Sequence, residues 1–270
     1  MKFSLLLGTY GTRLKDLDIL FDSLDRQTYK NFEVIVGSQT NYNEIEELLK
    51  KHSFEYKHVH ADGIGCSNSR NATMDLCTGD VYTFTDDDCW YKDDSLEIVK
   101  KYFEKYDPDV CSFQHYDPVQ KKSTIDYPKE KILGISKRQV LKQATLDMWF
   151  SSKSIDPHKN KFDERFGIGT EYNSGEENIY LMDAYNSGCR KIFYFPEITA
   201  YHPYKAVNYI DEKSMIGKGP LFKRLFGNTM GRIMFIAFAF KKKKEIEINN
   251  KGKFWSIFSK ALKEQKKFKL

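Results

Sequence analysis

The chain of 270 residues has no apolar run long enough to cross a bilayer, no paired cysteines, no internal repeat and no low-complexity linker. Its longest apolar run, Ile233 to Phe240, falls well short of the ~18 residues that a spanning helix needs. The opening, MKFSLLLG, carries one lysine, a very short apolar stretch and no small-residue cleavage pattern. It reads as a first strand and not as a secretion signal. The five cysteines, Cys66, Cys77, Cys89, Cys111 and Cys189, are odd in number, and none stands in a C-x-x-C pair. That argues against a disulfide framework or a zinc knuckle and for a reducing compartment, with the thiols as packing residues. Excess charge is also missing from most of the chain. The formal net charge is +5, but residues 241–270 hold eleven Lys against three Glu, a surplus of +8 that leaves residues 1–240 at −3. The basic balance therefore describes a tail, not a nucleic-acid-binding domain.

What is present is a regular alternation of strand and helix signals. Phe3 to Leu7 is a short apolar run closed by Gly8, the pattern of a buried strand. Leu17, Leu20, Phe21 and Leu24 fall at helical spacing. FEVIVG is a second buried strand, NEIEELLKK a helix and FEYKHVH an alternating strand. CSNSRNATMDLCTG reads as a helix ending near Gly79, and VYTFT as a fourth strand. Asp94-Ser95-Leu96-Glu97 looks like a capping box that opens a helix over 95–106. This order predicts an α/β fold, a mostly parallel sheet with helices on both faces. Residues 108–161 are less regular. A helix over 176–186 and the strand KIFYF follow. The composition changes near Asn208, dividing a domain over 1–207 from a basic, amphipathic helical extension over 208–270.

The fourth strand runs straight into Asp86-Asp87-Asp88. Three adjacent carboxylates repel unless water solvates them or a cation sits among them. In open parallel sheets ligands bind beyond the carboxyl ends of the strands, which is where the triplet falls. An Asp pair holds Mg²⁺ or Mn²⁺ well only when substrate phosphates complete the octahedron. The natural partner is then a nucleotide diphosphate; the competing reading is a solvated turn.

The segment RNATMDLCTGDVYTFTDDDCWY resembles the central motif of family 2 glycosyltransferases with the GT-A fold, a Rossmann-like α/β arrangement. There an Arg-Asn helix, a Gly-Asp turn and an apolar strand lead into a D-x-D. FSLLLGTYGTRLKDLDILFDSLDRQTYKNFEVIVGS resembles the family's opening. FDERFGIGTEYNSGEENIYLMDAYNSGCRKIFYFPEITAYHP resembles the segment with its catalytic acid and a late histidine. Together the three cover most of residues 1–205. The resemblance implies that Asp86 contacts the ribose and that Asp88 binds a divalent cation, Mn²⁺ or Mg²⁺, bridging the donor phosphates. Asp87 is the variable middle position on the donor side. Glu177 is the implied general base, with Glu176 as runner-up, and His202 stands near the metal and pyrophosphate. Thr9, Tyr10 and Arg13 line the nucleotide pocket, and Arg70 lies near the base or the phosphates. Family members usually end the second strand with Asp; here the chain reads Val36-Gly37-Ser38-Gln39. Ser38 or Gln39 takes over that contact, or the pocket differs.

The residue types suit an inverting transfer. A base takes the proton of the acceptor hydroxyl, and a cation with Arg or His neutralises the leaving diphosphate. Each residue also has a plainer reading. Glu176 and Glu177 can be acids favoured at a helix start, and His202 an ordinary surface histidine. Trp149 and Phe150 are either core residues or aromatic faces for the acceptor sugar. In the tail, Phe254, Ile257, Phe258 and Leu262 share one helical face. That face either lies in a membrane interface against anionic lipids or packs on the domain. The expectation is a metal-dependent enzyme on the cytoplasmic side, peripheral on the inner face of the membrane. It would use a nucleotide diphosphate sugar, UDP-sugar favoured, and a glycan or lipid-linked acceptor. The rivals are a sugar nucleotidyltransferase and a non-catalytic nucleotide- or glycan-binding scaffold.

Overall fold

In a computed structural model, which describes residues 1–204 and 210–270, strands and helices alternate around one sheet. In chain order the elements are β1 (Phe3–Thr9), α1 (Leu14–Asp25), β2 (Phe32–Ser38), α2 (Tyr42–Leu49), β3 (Glu55–His60), α3 (Cys66–Met74), β4 (Val81–Thr85), β5 (Trp90–Tyr91) and α4 (Ser95–Tyr106). Then come β6 (Val110–Tyr116), β7 (Ile132–Leu133), α5 (Lys137–Val140), β8 (Met148–Ser151), α6 (Glu176–Asn186) and β9 (Ile192–Tyr201). The chain closes with α7 (Glu212–Phe226), α8 (Asn228–Lys241), α9 (Lys243–Asn249) and α10 (Phe254–Lys267).

The strand order is β3-β2-β1-β4-β8-β6-β9-β5, with β7 paired to β9. From β3 to β4 every pairing is parallel. Beyond β4 the sheet is mixed: β8 runs antiparallel to both β4 and β6, while β6 and β9 are parallel. Alternation along each strand feeds two cores. Leu5 and Leu7 pack with Leu17, Leu20 and Phe21 of α1. Leu6 and Ile35 join Tyr180 and Leu181 of α6 on the other side.

Two strand glycines set the position of α3. A Cβ at Gly8 would lie 2.7 Å from the Ser69 hydroxyl, and one at Gly37 2.6 Å from the Ser69 carbonyl oxygen. The missing side chains let α3 cross close over β1 and β2, which carries Arg70 toward the strand ends.

Three expectations need correction. Trp149 and Phe150 do not face an acceptor: both are fully buried. Their strand, β8, is inserted in the middle of the sheet, so its alternate residues point into the two cores. Trp149 packs edge-on against Phe3 at 5.6 Å, and Phe150 stacks on Tyr82 at 5.2 Å. The capping box at Asp94 does not form, although the helix does. Asp94 makes no side-chain cap bond, and its carboxylate pairs with Lys92 at 3.1 Å. Finally, the apolar face of α10 is used inside the protein. Phe254 and Ile257 are buried with Met215 of α7 and Phe235 of α8, and Phe258 and Leu262 pack against them. The 207/208 boundary and the change of composition at Asn208 lie outside the described residues.

Candidate active site

β1 ends at Thr9 and β4 at Thr85, side by side in parallel register, so the triplet leaves the sheet at its carboxyl edge. The three carboxylates are not loose in solvent. Thr9 donates its hydroxyl to Asp87 at 2.7 Å. The Arg13 guanidinium donates to Asp87 at 2.9 Å and to Asp88 at 2.7 Å. Burial pushes the Asp87 carboxyl above its ordinary value, against the Thr9 hydrogen bond and the Arg13 charge. His202, the first residue after β9, places Nε2 3.1 Å from the other Asp88 oxygen.

A second group of acids meets the first through one arginine. Arg70 is buried on α3. It donates to Asp86 at 3.0 Å and to Glu176 at 3.3 Å. Glu176 and Glu177 open α6, where Gly175 is the N-cap with φ +102°. A side chain at Gly175 would strike Leu221 of α7 at 2.6 Å, so only glycine lets α6 start here beneath α7. The two glutamates then diverge. Glu176 is paired to Arg70 and also accepts from the Cys66 thiol at 3.5 Å. Glu177 has the Thr145 hydroxyl at 2.8 Å. Burial first, and then the neighbouring Glu176 charge, push the Glu177 carboxyl up to about 7. A carboxylate poised near neutrality is suited to take a proton.

The remaining predicted residues sit around this cluster in different ways. Tyr10 is exposed beside Thr9, and its carbonyl accepts from the Thr40 hydroxyl. Gln39 is clamped on Gly65, donating to its carbonyl at 2.7 Å and accepting from its N–H at 3.2 Å. It shapes the turn before α3. Ser38 is buried, with its hydroxyl 2.8 Å from His58 Nε2.

The residues present suit a divalent cation at Asp88. Its oxygen and His202 Nε2, 3.1 Å apart, have the spacing of neighbouring ligands on one octahedral ion with bonds of about 2.1 Å. Two protein donors leave most of the coordination sphere to a substrate's phosphates. The half-exposed Arg13 already brings positive charge to this corner, with its guanidinium on Asp87 and Asp88.

Three residues near the glutamates carry no signal in the sequence. Thr145 lies in the irregular region before β8. Cys66 is an ordinary-looking thiol, which burial and then Glu176 push up to about 12. Lys218 of α7 is hidden among the many lysines of the tail. It donates to Ser174 at 3.2 Å; burial lowers its pKa, opposed by the charges of Glu177, Glu176 and Asp211.

Comparison with known proteins places this geometry. Among solved structures, S. aureus TarS 1–349 matches with a TM-score of 0.70 at 17% identity, over 98% of this chain and 82% of that one. The same protein in complex with UDP-GlcNAc matches with 0.73 at 16% identity, over 98% and 80%. The mannosyltransferase PcManGT from Pyrobaculum calidifontis, in complex with GDP-Man and Mn²⁺, matches with 0.62 at 11% identity, over 97% and 86%. At such identities these likenesses establish the fold, which is GT-A. Glycosyltransferase GlyA of Streptococcus pneumoniae is 30% identical over 99 residues, 35% of this chain. The match spans 14% of that relative's length. The model of the family described as Glycosyl transferase family 2 matches residues 4–164, from β1 through the acidic triplet and β8. That is more than half of the chain, and the chain therefore belongs to glycosyl transferase family 2.

Proposed function

We propose that this protein is an inverting, metal-dependent glycosyltransferase that moves a sugar from a nucleotide diphosphate donor to a hydroxyl of a glycan acceptor. The observation that carries the reading is the bridge made by Arg70. It joins an acidic triplet suited to a donor diphosphate with a glutamate pair whose second member has a carboxyl raised to about 7.

The chemistry follows from the positions. Thr9, Arg13 and the exposed Tyr10 receive the nucleotide, and Asp86 the ribose. Asp88 and His202 hold Mn²⁺ or Mg²⁺, which neutralises charge on the departing diphosphate when bound. Glu177 accepts the proton of the acceptor hydroxyl as its oxygen forms the new bond to the anomeric carbon. The bond to the diphosphate breaks on the opposite face, so one displacement inverts that carbon. Glu177 is favoured over Glu176 because the Glu176 carboxylate is already engaged by Arg70 at 3.3 Å. Arg70 stays charged between the two acidic groups and keeps them in register.

A UDP-sugar is the favoured donor, supported by the likeness to TarS with UDP-GlcNAc. The Mn²⁺ in the PcManGT complex supports the cation. We place the acceptor on a lipid carrier, in surface polysaccharide synthesis, with the protein peripheral on the inner face of the membrane and without a nucleic-acid partner. The test is a thermal-shift panel of nucleotide diphosphates with and without Mn²⁺, on the wild type and Asp88→Asn. A ligand that binds only the folded state raises the melting temperature. The expected result is a cation-dependent shift with one nucleotide that disappears in Asp88→Asn. No shift with any nucleotide would overturn the donor site.

A further inference from the structure

We propose that the outward face of α8, together with Trp255 of α10, docks the protein flat on an anionic membrane surface. This differs from the expectation that α10 itself presents the apolar face, because that face is buried. Met230, Ile233, Met234, Ala237 and Phe240 recur at helical spacing along α8. The four larger side chains are 54%, 55%, 39% and 48% exposed. Trp255 is 60% exposed and meets Phe240 edge-on at 5.9 Å, so the stripe continues from α8 onto α10. The opposite face of α8, with Phe235 and Ala239, is buried in the helical core. Phe240 also packs its ring against Phe254 and Phe258, each at 5.6 Å, while Met230, Ile233 and Met234 lie outside the buried helical core.

Charge identifies the occupant. From Asn228 to Lys244 the sequence has Arg232 and four consecutive lysines, and no acid. Lys241 and Lys244 are exposed, and Lys253 immediately before Phe254 is exposed as well. Lys243 holds its ammonium 5.4 Å from the centre of the Trp255 ring. The next acids in sequence, Glu245 and Glu247, are paired with Lys242 at 2.7 Å and Lys243 at 3.8 Å. An apolar stripe ended by aromatic rings and rimmed by lysines matches the chemistry of the headgroup boundary of a bilayer containing acidic lipids. A second copy of the chain fits less well, since a symmetric contact would bring the two lysine rims together. No helix among the described residues is long and apolar enough to cross a membrane. A helix of 14 residues lying in the interface uses the apolar stripe without spanning.

Docking through α8 rests on the peripheral membrane location proposed above, while vesicle binding and donor turnover are separate readouts. The full chain is sedimented with phosphatidylcholine vesicles and with mixed phosphatidylcholine–phosphatidylglycerol vesicles. We expect binding to the mixed vesicles only, weakening as salt rises, with a blue shift of the Trp255 emission. Ile233→Asp should lower vesicle affinity by about tenfold or more, with the melting temperature and donor turnover in solution unchanged. Trp255→Phe should retain most of the binding while removing the emission shift. Equal binding by wild type and Ile233→Asp, or no binding to mixed vesicles, would overturn the proposal. So would a dimer in solution that Ile233→Asp converts to a monomer, since the face would then belong to self-association.

Discussion

Asp88 and Glu177 are carboxylates of one candidate site, yet their surroundings are opposite. Asp88 has Arg13 at 2.7 Å on one oxygen and His202 at 3.1 Å on the other. Glu177 has a threonine hydroxyl at 2.8 Å, a neighbouring acid and burial. The first arrangement stabilises negative charge and suits a group that binds cations. The second raises the cost of negative charge and suits a group that takes up a proton. Sequence spacing alone makes both look like acidic runs; what separates them is the partner that the fold brings to each. Arg70 couples the two, touching Asp86 and Glu176 but neither Asp88 nor Glu177 in a hydrogen bond.

The substitutions that would break this contrast differ in size. Glu177→Gln should lower turnover by about 10²–10⁴-fold, the range of a lost general base, while nucleotide binding in the thermal-shift assay is kept. If the amide variant instead lost nucleotide binding with its turnover, the division between the two groups would be wrong. Arg70→Met should cost about 3–5 kcal/mol of stability, because two buried or half-buried carboxylates lose their counter-ion. Urea unfolding would measure it, and a cost within error would mean that the bridge is not formed.

A subtler effect concerns stability against pH. The Glu177 carboxyl is raised from 4.5 to about 7 on folding. The folded state therefore binds a proton more tightly than the unfolded one, so this group favours folding below pH 4.5 and loses that contribution as pH rises through 7. Glu177→Gln should accordingly raise the melting temperature by a few degrees at pH 8, and the gain should vanish near pH 4. The smallest effect is expected for Lys218→Met. Removing that ammonium takes away a positive charge near Glu177 and should move the pH–rate break upward by a fraction of a pH unit. An unmoved break would show that Lys218 does not face the glutamates electrostatically.

Much of the parallel half was legible because short apolar strands bounded by glycine, and helices with apolar residues at i, i+3, i+4 and i+7, are local patterns. Leu17, Leu20, Phe21 and Leu24 are all buried on α1, and α6 spans the expected residues. Trp149 and Phe150 were ambiguous for a physical reason. An aromatic pair in an irregular region can lie at a surface or in a core. Only the insertion of β8 between β4 and β6 decides it, and that pairing is long-range. The same limit hid Thr145 and Lys218, each brought to the glutamates from a distant element. The apolar face of α10 is legible as a face, with a membrane interface and packing on the domain both left open; α7 and α8 supply the partner surface that decides for packing. The family match ends at residue 164, before Glu176, Glu177 and His202. Their roles therefore rest on motif order and on geometry.

The most direct test of the account is the pH dependence of kcat/KM for nucleotide release from the donor sugar, measured on the wild type and on Glu177→Gln. Wild-type kcat/KM should rise with pH and level off above a break near 7, where Glu177 loses its proton. Glu177→Gln should be slow at every pH and lack that break. An unchanged profile in Glu177→Gln would contradict the assignment of the base, and with it the contrast between the two carboxylates.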